Sequence, residues 1–403
     1  MRLEIFSYDV LFPVLAGIEK QMTKMNVCFL LTHIPNPRIN KRIEVFKHVS
    51  NTKVICTRRA SQNIWEPTQD VEHIIFDIDL PSAKQIVKRA VVSHGFRKRA
   101  LAKLEELQPD LIYTESLDSL MIAGAYKQRH AVKVFYEVAD LRENYLTKPK
   151  NPGKRLLTNL LLQREKKAFQ NVDFLVVTSP KFYEMHYSSL IDRERMLFIP
   201  NAPDQGVFHS YQKKGDGRFT VGFIGSIRYL KQMKMLVDAA NAVDVDVLFA
   251  GAGGTTTEYG EIRRYCDGMK NIAFTGRYSY ETEIADLYGR VDCVYAVYDA
   301  DNPNVRIALP NKLYESILCE LPIIVAKGTY LSELVEENGV GISVSHLDEK
   351  ELEQALLKLK TEPLFREQIA DHCRKCRERL LNIEITTEQL NSAASKKTLR
   401  DTK

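Results

Sequence analysis

No apolar run in the 403-residue sequence approaches the ~20 residues needed to cross a bilayer as a helix. The nearest, LFPVLAGI at residues 11–18, is short and contains a proline. It lacks the cationic start and small-residue cleavage site of a secretory leader. Residues 1–25 are read as an N-terminal extension: an extra helix, or an overlong start with Met22 or Met25 as the true first residue. A disulfide framework is missing too, because the seven cysteines are odd in number and sit in apolar strand or helix patterns, the usage of a reduced, cytoplasmic protein. Cys373 and Cys376 make one CxxC without the second pair or nearby His pair of a zinc set. No low-complexity segment, short repeat or excess of one charge is present; 57 Lys and Arg against 52 Asp and Glu leave only +5. With 44% hydrophobic and 27% charged residues, the composition is that of a globular protein and excludes disordered and fibrous classes.

What the chain does have is alternation. NVCFLLTH, TKVICTR, HIIFDID, PDLIYTE, AVKVFYEVAD and VDFLVVTS read as strands, with helical patterns between them. Such alternation predicts a parallel sheet covered on both faces, a Rossmann-like domain over residues 26–203. Its long helical stretch, residues 82–107, is expected to break near Gly95. Residues 204–218 have a Gly-, Asp- and Lys-rich linker composition. The alternation then restarts and predicts a second Rossmann-like domain over residues 219–363. Residues 364–403 add a further helix and a polar, basic tail, expected to fray or to pack back across the first half.

Charge is clustered rather than abundant. Lys84, Lys88, Arg89, Arg97, Lys98, Arg99 and Lys103 lie among Ile86, Val87, Val91, Val92, Phe96 and Leu101. A basic amphipathic helix of this kind suits an anionic membrane surface, and equally a solvated face.

In open parallel sheets, ligands bind beyond the carboxyl ends of the strands. After the strand FTVGFIG, Gly225 and Ser226 allow close backbone approach, and Arg228 and Lys231 bring two cations to the start of a helix. Cations there oppose the helix dipole, so a compensating anion is expected, and a guanidinium with an ammonium suits a diphosphate. The AGAGG turn, with Gly251, Gly253 and Gly254, is a second glycine-rich strand end. Thr256 stands where a dinucleotide fingerprint needs its third glycine. PNKLYESILCELPIIVAKG, residues 310–328, reads as turn, helix and strand, with Asn311 as N-cap. Leu313, Ile317, Leu318 and Leu321 form its apolar stripe. Glu315 then either faces a ligand or merely complements the helix dipole. Asp299 and Asp301 look like a metal-binding dyad, yet nothing around them demands a metal.

GSIRYLK, AGAGG, NIAFTGRYSYETEIADLYGRVDCVYAVY and PNKLYESILCELPIIVAKG, in this order, resemble the donor domain of GT-B-fold, family-4-type glycosyltransferases (glycosyl transferases group 1) of capsule, exopolysaccharide and O-antigen assembly. PNPRINKRIEVF, PDLIYTESLD, VFYEVADL and VVTSPKFYE through FIPNAPD are similar to the family's acceptor domain. The resemblance covers about residues 26–380. It implies two Rossmann-like domains facing each other across a cleft, acceptor on the first and nucleotide-sugar on the second. It makes Arg228 and Lys231 the diphosphate binders and Glu315 the acceptor of the donor's ribose hydroxyls. Gly225, Ser226, Gly251, Gly253, Asn311 and Lys312 would line the same pocket. Asp140 falls near the reacting sugar and Arg38 on the acceptor side. Two positions depart from the family: Ala139 precedes Asp140 where a His is common, and Ile307 takes the place of the first of two glutamates seven residues apart. Asn302, Asn304 or Arg306 could supply the missing contact. The implied activity is retaining transfer of a sugar from a nucleotide-sugar to a glycan or lipid-linked acceptor, without a metal cofactor or a nucleic-acid partner, in the cytoplasm or peripheral at the membrane's inner face. The fold also serves nucleotide-sugar 2-epimerases, and Ile307 with Ala139 would fit a catalytically silent partner.

Overall fold

Strands with both faces buried set the architecture. In a computed structural model of the chain, residues 25–58, 67–78, 86–141, 146, 151–203, 205–214, 217–253, 257–381, 390 and 392–394 are described. The expected N-terminal extension, Lys84, Gly254, Thr256 and the basic tail beyond residue 394 lie outside them, as do the side chains of Lys88 and Arg89. The chain divides into two units, Met1–Ile199 with Glu384–Lys403, and Pro200–Ile383.

The first unit runs β1 (Asn26–Leu30), α1 (Pro37–Lys47), β2 (Asn51–Thr57), β3 (Glu72–Phe76), α2 (Ile86–Leu107), β4 (Leu111–Thr114), α3 (Leu117–Lys127), β5 (Lys133–Val138), α4 (Pro152–Phe169), β6 (Phe174–Val177) and β7 (Met196–Phe198). Its seven strands pair in parallel in the order β3-β2-β1-β4-β5-β6-β7. Asn36 caps α1, its side chain accepting from the Ile39 amide at 3.0 Å, with Pro37 in the first turn where a missing N–H costs nothing. The expected break at Gly95 does not occur, and α2 is continuous. Phe96, Ala100 and Leu104 recur every four residues and are fully buried. That apolar stripe outweighs the roughly 1 kcal/mol helix penalty of one glycine. Phe29 stacks on Tyr113 at 4.8 Å in the core. Leu390, Ala393 and Ala394 are seated in the same core, and the Lys133 ammonium donates to the Ala394 carbonyl.

The second unit runs β8 (Thr220–Ile224), α5 (Leu230–Ala242), β9 (Asp246–Ala250), α6 (Glu258–Tyr265), β10 (Ile272–Gly276), α7 (Tyr280–Gly289), β11 (Cys293–Ala296), α8 (Pro303–Ile307), α9 (Asn311–Leu318), β12 (Ile323–Ala326), α10 (Tyr330–Asn338), β13 (Gly341–Val344), α11 (Glu349–Thr361) and α12 (Pro363–Leu381). Its six parallel strands follow the order β10-β9-β8-β11-β12-β13. In each sheet the order reverses once, between β1 and β4 and between β8 and β11. A crevice opens at such a point beyond the carboxyl ends of the strands.

All seven cysteines are free and buried. Burial pushes the thiols of Cys28, Cys56 and Cys373 up to about 12. Cys373 and Cys376 therefore serve as packing groups of α12. Among the described residues no helix is long and apolar enough to cross a membrane.

Candidate functional site

At the reversal point of the second sheet, glycines end three neighbouring strands. Gly225, Gly251 and Gly276 have φ of +142°, +132° and +74°. The Gly225 amide donates to the Ala250 carbonyl and the Gly251 amide to the Gly276 carbonyl, both at 2.8 Å, which ties the strand ends together. A Cβ on Gly251 would stand 2.0 Å from the Gly225 carbonyl oxygen, and one on Gly225 would stand 2.7 Å from the Lys312 Nζ. Gly251→Ala is expected to cost about 3 kcal/mol or more, from the clash and the left-handed backbone together. Urea titration checks this, and a change under 1 kcal/mol would mean that the two backbones can separate.

Beyond β8, Tyr229 takes the left-handed conformation (φ +59°) immediately before α5, and its ring meets that of Tyr298 at 5.5 Å. Arg228 and Lys231 flank this turn and are exposed. Neither has a carboxylate partner among the described residues. Ser226 is also exposed, whereas Gly253 is buried.

Helix α9 supplies the rest. The expected Asn311 cap is corrected: Pro310, with φ −78° and ψ 154°, is the last extended residue, and no side chain caps the helix. Asn311 lies already inside the first turn, and its Oδ1 accepts from Asn201 Nδ2 at 2.6 Å. Lys312 is only 8% exposed, its Nζ 4.5 Å from the Phe223 ring centre and 5.7 Å from that of Tyr298. No carboxylate among the described residues pairs with it. Two ring faces offset part of the cost of burying that charge, and an unpaired cation held this way is poised for an anion. Glu315 is 3% exposed. Its Oε1 accepts from the Tyr280 hydroxyl at 2.9 Å and its Oε2 from the Tyr288 hydroxyl at 2.5 Å. Burial, and then the charge of Glu315, hold the Tyr288 phenol far above its ordinary pKa, so it remains a donor. Each carboxylate oxygen keeps a further lone pair for a ligand hydroxyl. Complementing the helix dipole does not explain a carboxylate buried and oriented by two tyrosines.

The sequence reading missed both tyrosines. Their signal was the spacing, since residues eight apart on α7 share one face.

Asp299 and Asp301 are joined by His346, another residue the sequence reading passed over, with ligand atoms all within 4.8 Å. His346 Nδ1 lies 3.4 Å from Asp299, and Arg306 lies 3.8 Å from Asp301. The residues considered as substitutes for the missing glutamate are partly engaged within their own loop. Asn302 caps α8 by accepting from the Asn304 amide at 2.9 Å, and Arg306 Nε donates to the Ala300 carbonyl at 2.6 Å. Ile307 is buried.

In the first unit, Asp140 is exposed past the end of β5. Arg38 belongs to a buried ion network, with its guanidinium 2.5 Å from Glu115 Oε2 and 3.0 Å from Glu137 Oε1. Arg42 and Tyr113 also meet Glu137. His33 Nδ1 donates to the Ile34 carbonyl at 2.7 Å, while its Nε2 lies 2.6 Å from Glu115. Burial works to raise the Glu115 pKa, but the hydrogen bond from His33 and the charge of Arg38 more than offset it and hold it below its ordinary value.

Residues 218–362 match the family model for glycosyl transferases group 1, so the chain carries a glycosyl transferases group 1 domain. It is 30% identical over 131 residues to the O-antigen chain mannosyltransferase C of Escherichia coli, a match spanning 30% of this chain and 34% of that protein. It is 20% identical over 268 residues to the succinoglycan biosynthesis protein ExoL of Rhizobium meliloti, spanning 62% of this chain and 64% of that one. The chain thus spans less than two thirds of either relative. Anabaena HepE, solved with UDP and glucose, superposes with a TM-score of 0.68 at 15% identity, over 93% of this chain and 100% of that one. The fold, two parallel-sheet α/β units, is the GT-B architecture.

Proposed function

We propose that the protein is a glycosyltransferase of cell-surface polysaccharide assembly, moving a sugar from a nucleotide-sugar to a glycan or lipid-linked acceptor. One observation carries the reading: a buried cation without a carboxylate partner, Lys312, stands against the glycine-lined end of β8, one helical turn from the tyrosine-held Glu315. That pair suits the two ends of a nucleoside diphosphate. Glu315 accepts the ribose hydroxyls, while Lys312, Arg228 and Lys231 meet the diphosphate beside the amides of Gly225 and Ser226; Gly251, Gly253 and Asn311 shape the same pocket. Negative charge grows on the leaving phosphate as the glycosidic bond breaks. Cations fixed there favour the transition state over the ground state. The leaving phosphate itself can then take the acceptor's proton, which is the retaining course, and no metal is required. Asp140 and Arg38 belong to the acceptor side in this reading. The exposed Arg97, Lys98 and Arg99 of α2 support a chain peripheral at the inner face of the membrane.

Calorimetry with UDP, GDP, ADP and TDP tests the proposal. Selective binding is expected, weakened by Arg228→Ala by about 1.5–3 kcal/mol, as for a lost charged hydrogen bond. Unchanged affinity would place the phosphates elsewhere, and no binding by any nucleotide in folded protein would end the glycosyltransferase reading.

A further inference from the structure

Asp299, Asp301 and His346 come together from two separate strand ends. The two aspartates follow β11 and His346 follows β13, with β12 between those strands in the sheet. One ligand atom from each of the three lies within 4.8 Å of the others. Carboxylates on exposed loops are common and need no ligand, so the histidine is the member that matters. Its side chain is only 12% exposed, and its backbone is anchored by the Gln232 side chain of α5, which donates to the His346 carbonyl at 3.1 Å. The His346 Nδ1 atom is fully enclosed and makes no hydrogen bond among the described residues, although Asp299 Oδ1 stands 3.4 Å away. A ring nitrogen taken out of water in this way needs a partner.

That separation is long for a hydrogen bond and right for two ligands of one ion. Imidazole nitrogen and carboxylate oxygen bind zinc at about 2.0–2.2 Å, so at a tetrahedral angle two such atoms stand roughly 3.4 Å apart. Asp299 Oδ1 also accepts from the Asp301 amide at 3.0 Å, which draws both aspartates into one turn. Asp301 is 74% exposed, and rotation of its side chain closes the remaining distance. The charge of the cluster favours a cation, because two carboxylates face a ring that is neutral when it ligates. Among the described residues, the other ion pair to either aspartate comes from Arg306, which is 57% exposed and 3.8 Å from Asp301. Carboxylates alone would suit magnesium or calcium, whereas an imidazole among them favours a transition metal.

We propose that Asp299, Asp301 and His346 bind one divalent transition-metal ion of the zinc kind, three protein ligands leaving a fourth position to water. The ion ties the end of β11 to the end of β13 across β12. Tyr298 immediately precedes the first ligand, and its ring centre stands 5.7 Å from the Lys312 Nζ and 5.5 Å from that of Tyr229. Fixing Asp299 therefore fixes one wall around the buried cation. The ion takes no part in the transfer chemistry. It regulates the donor pocket by holding that wall, a consequence that rests on the proposed function.

Calorimetry of the full chain, stripped of metal by a chelator and carrying no histidine tag, tests this with zinc and, separately, magnesium. One equivalent of zinc is expected, bound at least about tenfold tighter than magnesium. His346→Ala and, separately, Asp301→Asn should each weaken zinc binding at least about tenfold, the loss that follows even when a residue only orients a ligand. Cys373→Ala with Cys376→Ala should leave it unchanged, because those cysteines are buried in the packing of α12. Melting by circular dichroism establishes that the variants are folded, and zinc should raise the melting temperature of the wild type but not of His346→Ala. The best-binding of UDP, GDP, ADP and TDP should bind about fivefold tighter with zinc than without it, and equally in both conditions to His346→Ala. No zinc binding, or zinc binding that survives both substitutions, would overturn the inference. Nucleotide binding without zinc binding would overturn it and leave the donor site standing. Zinc binding lost in the variants, with no nucleotide bound by any form, would support the ion site and remove the donor-site reading. Zinc bound with nucleotide affinity unchanged would overturn its hold on the Lys312 wall.

Discussion

Glu137→Gln is expected to cost about 3–5 kcal/mol of folding free energy, the usual result of breaking a buried ion pair from one side. Glu137 is fully buried within β5 and lies among Arg38 Nε at 3.0 Å, Arg42 at 3.5 Å and the Tyr113 hydroxyl. Glutamine keeps the shape but removes the charge that offsets two guanidinium groups, and Arg42 is itself only 4% exposed. Arg42 also donates to the Ile199 carbonyl at 3.2 Å, and that single neutral bond is too little to hold it. Equilibrium urea unfolding of the first unit's transition reads the effect. Adding Arg42→Met should recover part of the loss, since it removes a buried guanidinium left without its carboxylate. A loss under 1 kcal/mol for Glu137→Gln would mean that water reaches the network.

Glu315→Ala should lower nucleoside diphosphate affinity at least about 30-fold, because a site built to accept hydroxyls loses both contacts at once. The same change leaves the buried Tyr288 hydroxyl without its acceptor, at a cost of about 1–3 kcal/mol in stability. Binding and folding must therefore be measured together. Tyr280→Phe provides the contrast, since it keeps the carboxylate and removes only one of its two donors. Its expected effect on affinity is small, a few-fold. If Glu315→Ala binds like the wild type, the ribose lies elsewhere. If Tyr280→Phe is as damaging as Glu315→Ala, the tyrosine itself meets the ligand.

The fold was legible because its determinants are periodic. Runs such as VCFL and FLVV are apolar without interruption, as strands buried on both faces must be, and turn residues mark their ends. The glycine-rich strand ends and Glu315 were legible because the residue type and its place after a strand carry the information. What burial decides was not. The family resemblance puts Lys312 among the residues lining the pocket, but only the packing of Phe223 and Tyr298 shows it enclosed. Glu137, one acid inside the apolar run VFYEV, was a signal left unread, since a charge there needs buried partners. The Asn311 cap failed by a single residue, and a single residue decides whether a side chain caps the helix or bonds a neighbouring segment.

The first unit is not contiguous in the chain. It is left at Ile199 and regained only by the segment that places Leu390, Ala393 and Ala394 in its core. During synthesis the second unit is therefore complete on the ribosome while the first still lacks part of its interior. The order of assembly runs against the order of translation: the unit made first is finished last, and its apolar edge stays open until nearly the whole chain has emerged.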